Sequence, residues 1–311
     1  FPTALLGFTL NTFQIGQVSL ERVEELLQRE PTIQDSAQQR DPASSPPSRS
    51  GRFEARELTV QYDGAQKNTL NGLNFCIEPG ELVAVVGPVG CGKSTLARVL
   101  GRMVPVKPSQ LFLDGVDVTH LPLQELRQDV AIVPQEGFLF TSTLADNIRY
   151  GEPDANNARV ESAAEEARLA DDVKGFPDGF STVVGERGIT LSGGQRQRTA
   201  LGRALLVSAP VLVLDDALAS VDNNTAAAIL DSIRSQDQRT IVMISHQLSA
   251  AAACDRSIAP AIAASLAADG ANAGPAPWVA ACLATAIATS GLAASLAAAW
   301  VTTALTAALA A

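Results

Sequence analysis

The chain has 311 residues, with 33 acidic side chains against 23 Lys and Arg and a formal net charge of -10. That length accommodates one large or two ordinary domains with a sizeable core. The acidic balance, with a pI near 4.7, argues against a sequence-independent nucleic-acid binder. The four cysteines, Cys76, Cys91, Cys254 and Cys282, lie far apart without C-x-x-C spacing. That disfavours a zinc site or a disulfide framework and fits a reducing cytosolic setting.

The chain opens on Phe1 inside a hydrophobic run, so it reads as a piece of a longer protein. Residues 1–16 are apolar and uncharged, and Val18, Leu20, Val23, Leu26 and Leu27 continue at helical spacing among Glu21, Arg22, Glu24 and Glu25. Two readings stand: an amphipathic helix of a soluble domain, or the cytosolic end of a membrane-spanning helix, since a span needs about 20 apolar residues. Residues 31–52, rich in Pro, Ser, Gln and Arg, bury too little to fold and read as a linker.

From Phe53 the pattern becomes β. Leu58, Val60 and Tyr62 alternate, then Leu73, Phe75 and Ile77, with turns at Asp63-Gly64 and Pro79-Gly80. These form a small antiparallel layer. Residues 83–86 are a buried strand that breaks into a glycine-rich turn and a helix starting near Lys93. Leu111 to Leu113 with Asp114-Gly115 suggest a strand and turn, and residues 131–133 a buried strand running into Pro134-Gln135. Residues 141–190 lack long β runs and read as a helical insertion, with helical spacing over 155–169. Two further apolar strands, 211–214 and 240–244, each follow a helical segment, so the core is a parallel α/β sheet with right-handed crossovers.

The stretch Gly87-Pro88-Val89-Gly90-Cys91-Gly92-Lys93-Ser94-Thr95 follows a strand and opens a helix, which is the setting of a phosphate-binding loop. Gly87, Gly90 and Gly92 let consecutive N–H groups turn inward, and the helix adds its positive dipole end. Lys93 then reaches the β- and γ-phosphates while the Ser94 hydroxyl binds Mg²⁺. Cys91 sits at the helix N-terminus, a setting that favours thiol reactivity, though the preferred reading is a small residue filling a tight turn. Tyr62, some way upstream, offers a ring for stacking on a base. The strand 211–214 ends in Asp215-Asp216, where a nucleotide-binding sheet places its metal-holding acid. Ser192 and Gln195 in Leu191-Ser192-Gly193-Gly194-Gln195 have capping-box spacing, and the two glycines leave the helix start bare for an anion.

Together these motifs resemble the nucleotide-binding domain of an ATP-binding cassette (ABC) protein over about residues 53–256, a P-loop NTPase core with a parallel sheet, a small antiparallel β layer and a helical insertion. The resemblance rests on the phosphate loop, Gln135 of the Q-loop, the signature 191–195, Asp215 of Walker B, the D-loop Ala219-Ser220-Val221-Asp222 and His246 of the switch loop. It implies two domains packed head to tail, each ATP held between one subunit's phosphate loop and the other's signature Ser192, Gly193, Gly194 and Gln195. It also implies that Tyr62 stacks on adenine, that Gln135 touches Mg²⁺ beside Ser94 and Asp215, and that His246 contacts the γ-phosphate. Residues 182–188 resemble the X-loop of exporters, and residues 17–27 the last transmembrane helix of an exporter running into its linker. The expected organisation is therefore 1–30 the cytosolic end of a transmembrane helix, 31–52 a linker, 53–256 the nucleotide-binding domain, and 257–311 a tail. Its expected place is the cytoplasmic side of the cell (inner) membrane.

Two features depart from the family. Asp216 stands where the family usually has a glutamate that polarises the attacking water, which implies slow hydrolysis at this subunit's own loop. An intact signature beside a shortened acid favours a heterodimer over a homodimer. Past Arg256, an alanine-dominated run holds Asp269 as its only charged residue. A membrane span over 278–311 and a soluble helical hairpin compete for it with the favoured reading, an out-of-frame translation of GC-rich DNA.

Overall fold

The computed structural model describes residues 2–35, 49–236, 239–245 and 254–258. They fall into two units, Phe1–Gln34 and Asp35–Ala311. In the first unit, α1 (Pro2–Gln28) has no buried residue. Leu5, Phe8, Phe13 and Ile15 are all at least 60% exposed. The Thr9, Thr12 and Ser19 hydroxyls donate back to the Leu5, Phe8 and Ile15 carbonyls, each four residues earlier. Among the described residues no helix is long and apolar enough to cross a membrane.

The second unit holds two sheets. β1 (Phe53–Val60) and β2 (Leu70–Ile77) pair antiparallel, and β3 (Leu82–Val85) opens the parallel sheet before α2 (Lys93–Leu100). Then β4 (Leu111–Leu113) and β5 (Val116–Asp117) complete the antiparallel sheet in the order β2-β1-β4-β5. After α3 (Leu123–Asp129) and β6 (Val130–Val133) comes the helical insertion α4 (Leu144–Arg149), α5 (Asn157–Glu166) and α6 (Ala170–Lys174). The chain continues through α7 (Gly193–Leu206), β7 (Val211–Asp215), α8 (Asn223–Gln236), β8 (Thr240–Ile244) and β9 (Arg256–Ile258). The parallel sheet runs β6-β7-β8-β3-β9.

The continuous apolar runs have a direct cause. Along β3, Val83 and Val85 join one core with Phe53, Leu58, Leu96 and Leu100, whereas Leu82 and Ala84 join another with Leu205, Ile229 and Ile233. Both faces of the strand are covered, so alternation disappears and every position is apolar. Full burial of each Leu or Val in these clusters contributes on the order of 1.5–3 kcal/mol. A third cluster, with Leu144, Ile148, Val160, Leu169 and Val173, closes the helical insertion onto Leu191 and Leu206 around α7.

Three places differ from simple sequence patterning. In β1 the register slips between Ala55 and Leu58 and again between Leu58 and Val60, and Glu57 takes φ of +48°. The strand runs on through the bulge to Val60, and Tyr62 lies just beyond it. Residues 49–52, at the end of the stretch read as a linker, are fastened to the domain. The Asp114 carboxylate accepts the Ser50, Gly51 and Arg52 N–H groups at 3.0, 3.2 and 2.9 Å, and Arg49 pairs with Glu125 and Asp129. Burial raises the Asp114 carboxyl, but these bonds, led by the Ser50 hydroxyl, outweigh it and hold the group below its ordinary range. Lastly, β9 pairs parallel with β3 at the point where the expected tail begins. The rest of that tail, residues 259–311, lies outside the described residues, as do linker residues 36–48 and His246.

Candidate functional site

The phosphate loop connects the end of β3 to α2. Gly90 and Gly92 take φ of +84° and +92°. At Gly92 a Cβ would stand 2.8 Å from Leu70 Cδ2 and 2.9 Å from the Thr69 carbonyl, so conformation and space both demand glycine. Gly92 is the N-cap of α2 and supplies no side-chain cap, which leaves that helix start to backbone donors. Pro88, Val89 and Gly90 form the exposed crest of the loop.

Lys93 is buried, and its ammonium donates to the Gly87 and Pro88 carbonyls at 2.8 and 2.9 Å, with Cys91 Sγ 4.0 Å away. The cation therefore lies curled beneath its own loop. One residue on, Ser94 Oγ donates to Asp215 Oδ1 at 3.0 Å, joining the start of α2 to the end of β7. Burial pushes the Asp215 carboxyl up, the Ser94 hydrogen bond opposes that rise, and the neighbouring Asp216 charge adds to it.

Two adjacent buried acids with a hydroxyl between strand and helix suit a hard cation held by oxygen. Among the described residues there is no group of three or more His, Cys, Asp and Glu that could hold a metal ion. A Ser–Asp pair fits Mg²⁺ because that ion takes most of its remaining ligands from water and phosphate rather than from a protein cage.

Asp216 is buried and takes φ of +47°, and its N–H donates to the Ile244 carbonyl at 3.0 Å. Asp tolerates this left-handed conformation better than most residues. Gln135 is exposed and lines a cavity of about 170 Å³ with Asp216 and Ser245. It also lines a larger one of about 640 Å³ with Phe138, Gly193, Gln197 and Ser220. Tyr62 is 36% exposed, and its hydroxyl lies 3.2 Å from Thr95 Oγ1, so the ring is tethered to the phosphate loop.

The signature forms the N-terminus of α7. Ser192 Oγ accepts the Gln195 N–H at 3.2 Å, and Gln195 Oε1 accepts the Ser192 N–H at 2.9 Å, completing the capping box expected from the spacing. The glycines are not bare. A Cβ on Gly194 would stand 3.0 Å from the Ser220 carbonyl, and one on Gly193 3.5 Å from Ser220 Cβ. In the D-loop, the Asp222 carboxylate accepts the Thr225 N–H at 2.9 Å at the start of α8.

The structure thus gathers Tyr62, Gly87, Lys93, Ser94, Thr95, Asp215 and Asp216 at the C-terminal ends of β3 and β7. The larger cavity takes in Gly193 but none of residues 87–95. Two neighbours of these motifs carry no sequence signal of their own. Gln197 accepts the Ser220 N–H at 2.8 Å, and Asp172 accepts Gln195 Nε2 at 3.1 Å.

Residues 70–219 match the ABC transporter family model. The chain is 38% identical over 250 residues to the ATP-dependent lipid A-core flippase of Aromatoleum aromaticum, covering 80% of this chain and 41% of that protein. It is 35% identical over 251 residues to the multidrug resistance-like ATP-binding protein MdlA of Escherichia coli, covering 80% and 42%. A solved structure of a bacterial Atm1-family ABC exporter with ATP bound superposes with a TM-score of 0.74 at 34% identity, over 82% of this chain and 44% of that one. The chain therefore spans about two-fifths of the length of the curated relatives it matches.

Proposed function

Since the chain belongs to the ABC transporter family, with relatives of the exporter type, we propose that it is the ATP-binding and ATP-hydrolysing part of an exporter that couples MgATP-driven dimerisation to transport. In this reading residues 1–30 continue from a transmembrane helix and 31–52 link it to the ATP-binding domain at 53–256, on the cytoplasmic side of the cell (inner) membrane. The observation that carries it is the Ser94–Asp215 bond at 3.0 Å beside a Lys93 buried within its own glycine loop. A hydroxyl, a carboxylate and an ammonium converge where a nucleotide's phosphates enter.

Tyr62 stacks on adenine while the loop N–H groups and Lys93 take the β- and γ-phosphates. Ser94, Asp215 and Gln135 would hold Mg²⁺, which would offset the charge that develops on the phosphates. Asp216 accepts the proton of the attacking water as its oxygen bonds to the γ-phosphorus and the bond to the β-phosphate oxygen breaks, releasing ADP. His246 contacts the γ-phosphate, and Ser192, Gly193, Gly194 and Gln195 face the nucleotide on the partner's loop.

The partner is a second nucleotide-binding domain, and a heterodimer is favoured. Asp216 is one methylene shorter than the usual acid, while the signature that serves the opposite site is complete. A second reading, a regulatory subunit that binds ATP with little turnover at its own loop, rests on the same Asp216. In the full-length protein, MgATP is expected to raise the thermal midpoint and to be hydrolysed. Lys93→Ala should abolish both effects at its site, and a Lys93→Ala protein that binds MgATP like the parent would sink the reading.

A further inference from the structure

We infer that Asp172 is a positioning residue for the signature turn, so that a side chain in the helical insertion sets turnover at the site completed by the partner's phosphate loop. The inference rests on the head-to-tail reading above. The Asp172 carboxylate accepts Gln195 Nε2 on Oδ1 at 3.1 Å and Arg198 Nη1 on Oδ2 at 2.7 Å. Residues 195 and 198 lie on one face of α7, a turn apart, so a single carboxylate grips the helix at two points. The pair is well shielded, with the Arg198 and Asp172 side chains 17% and 21% exposed.

The grip passes directly into the capping box. Gln195 has two amide ends: Oε1 is committed to the Ser192 N–H, and Nε2 is committed to Asp172. The Gln195 side chain is therefore fixed from both sides, and the Ser192 backbone is held through it. Arg198 continues the tether by donating to the Arg168 carbonyl at 2.6 Å and, through Nε, to the Gly194 carbonyl at 3.4 Å. Asp172 is in turn anchored by its neighbour Val173, which is buried in the insertion core and whose N–H donates to the Leu169 carbonyl at 3.1 Å. Movement of the insertion is thereby handed to the residues that meet the partner's nucleotide.

Without Asp172, Gln195 loses one of its two anchors and Ser192 loses its fixed orientation. Because a shift of about 1 Å in a catalytic group costs on the order of a hundredfold, loosening by about half that distance corresponds to about tenfold.

The experiment uses the full-length assembled protein. Asp172→Ala is expected to lower ATP turnover about tenfold. The affinity of this chain's own loop for a fluorescent ATP analogue should stay within about twofold. Asp172→Asn, which keeps an acceptor for Gln195, should recover most of the loss; if the alanine variant does not fold, Gln195→Glu, which keeps the acceptor for the Ser192 N–H but repels Asp172, should lower turnover by a similar factor, and unchanged turnover in it overturns the inference equally. In a Ser192→Ala background, Asp172→Ala should add almost nothing, because both act through one turn. Unchanged turnover in Asp172→Ala, or an equal loss in the Ser192→Ala background, overturns the inference. If Ser192→Ala itself leaves turnover intact, the head-to-tail reading falls and the tether with it.

Discussion

Extending the acid that directly follows β7 is the sharpest test of the proposed ATP hydrolysis. Asp216 is buried, lies in a left-handed conformation at φ of +47° and is held by its N–H to the Ile244 carbonyl. Asp216→Glu adds one methylene toward the cavity of about 170 Å³ that it shares with Gln135 and Ser245, so the longer side chain has room. One cost and one gain decide the outcome. Asp is several-fold better tolerated than Glu in left-handed backbone, which amounts to roughly 0.5–1 kcal/mol of lost stability, a fall of about 2–4 °C in thermal midpoint. Against it, correcting a displacement of about 1 Å in the group that takes the water's proton is worth up to about a hundredfold in rate. Turnover per assembled transporter, measured with ATP saturating, should therefore rise by tens of fold while the thermal midpoint falls slightly. If Asp216→Glu hydrolyses no faster than the parent, the shortened acid does not limit turnover and the argument for a slow site at this loop collapses.

Gly92→Ala should cost roughly 1–3 kcal/mol, read as a lower thermal midpoint, and should weaken MgATP binding, because its Cβ would press on Leu70 Cδ2 and the Thr69 carbonyl at a φ of +92°. For Asp215 the sign follows from its raised carboxyl: the ionised form is disfavoured in the folded state, so its cost is complete near neutral pH and fades as pH falls through the raised value. Asp215→Asn should accordingly raise the thermal midpoint of the nucleotide-free protein near neutral pH, by less in acid, and should remove Mg²⁺-dependent stabilisation by ATP. A lower midpoint near neutral pH would contradict this. Cys254 is buried, and burial with Asp255 beside it pushes its thiol up to about 12. Peptide mapping after maleimide treatment at about pH 8 should find it unlabelled until the chain is unfolded, while half-exposed Cys76 and Cys91 label in the folded protein.

The parts of the site that the sequence announces are those in which chemistry demands particular residue types at fixed spacing. A phosphate loop needs its glycines and Lys93 within one turn, and the parallel strands need apolar residues on both faces, so 83–86, 131–133, 211–214 and 240–244 stand out. The bulge at Glu57 leaves no such trace, because nothing in Arg56-Glu57-Leu58 marks a residue with positive φ. Strand β9 is equally silent: three residues carry no periodicity, and only pairing with β3 makes them a strand. Asp172, Gln197 and Asp114 act through hydrogen bonds to residues 23 or more positions away, which no local pattern encodes.

The signature glycines hold two reasons at once. From sequence they read as a bare helix start that lets an anion approach, and in the structure the D-loop occupies part of that space. The two demands separate between neighbours. A Cβ on Gly194 would lie 3.0 Å from the Ser220 carbonyl, which is backbone and gives way poorly, whereas on Gly193 the nearest atoms are Ser220 Cβ and Oγ at an ordinary 3.5 Å. Gly194→Ala should therefore shift the D-loop and lower both the thermal midpoint and turnover. Gly193→Ala should leave the midpoint within about 2 °C of the parent, since surface changes without a clash rarely exceed about 0.5 kcal/mol. If Gly193→Ala nevertheless stops turnover in the assembled protein, the methyl is blocking the partner's nucleotide rather than the fold. If it leaves turnover intact, Gly193 is not where an anion comes close, and the glycine pair is explained by Ser220 alone.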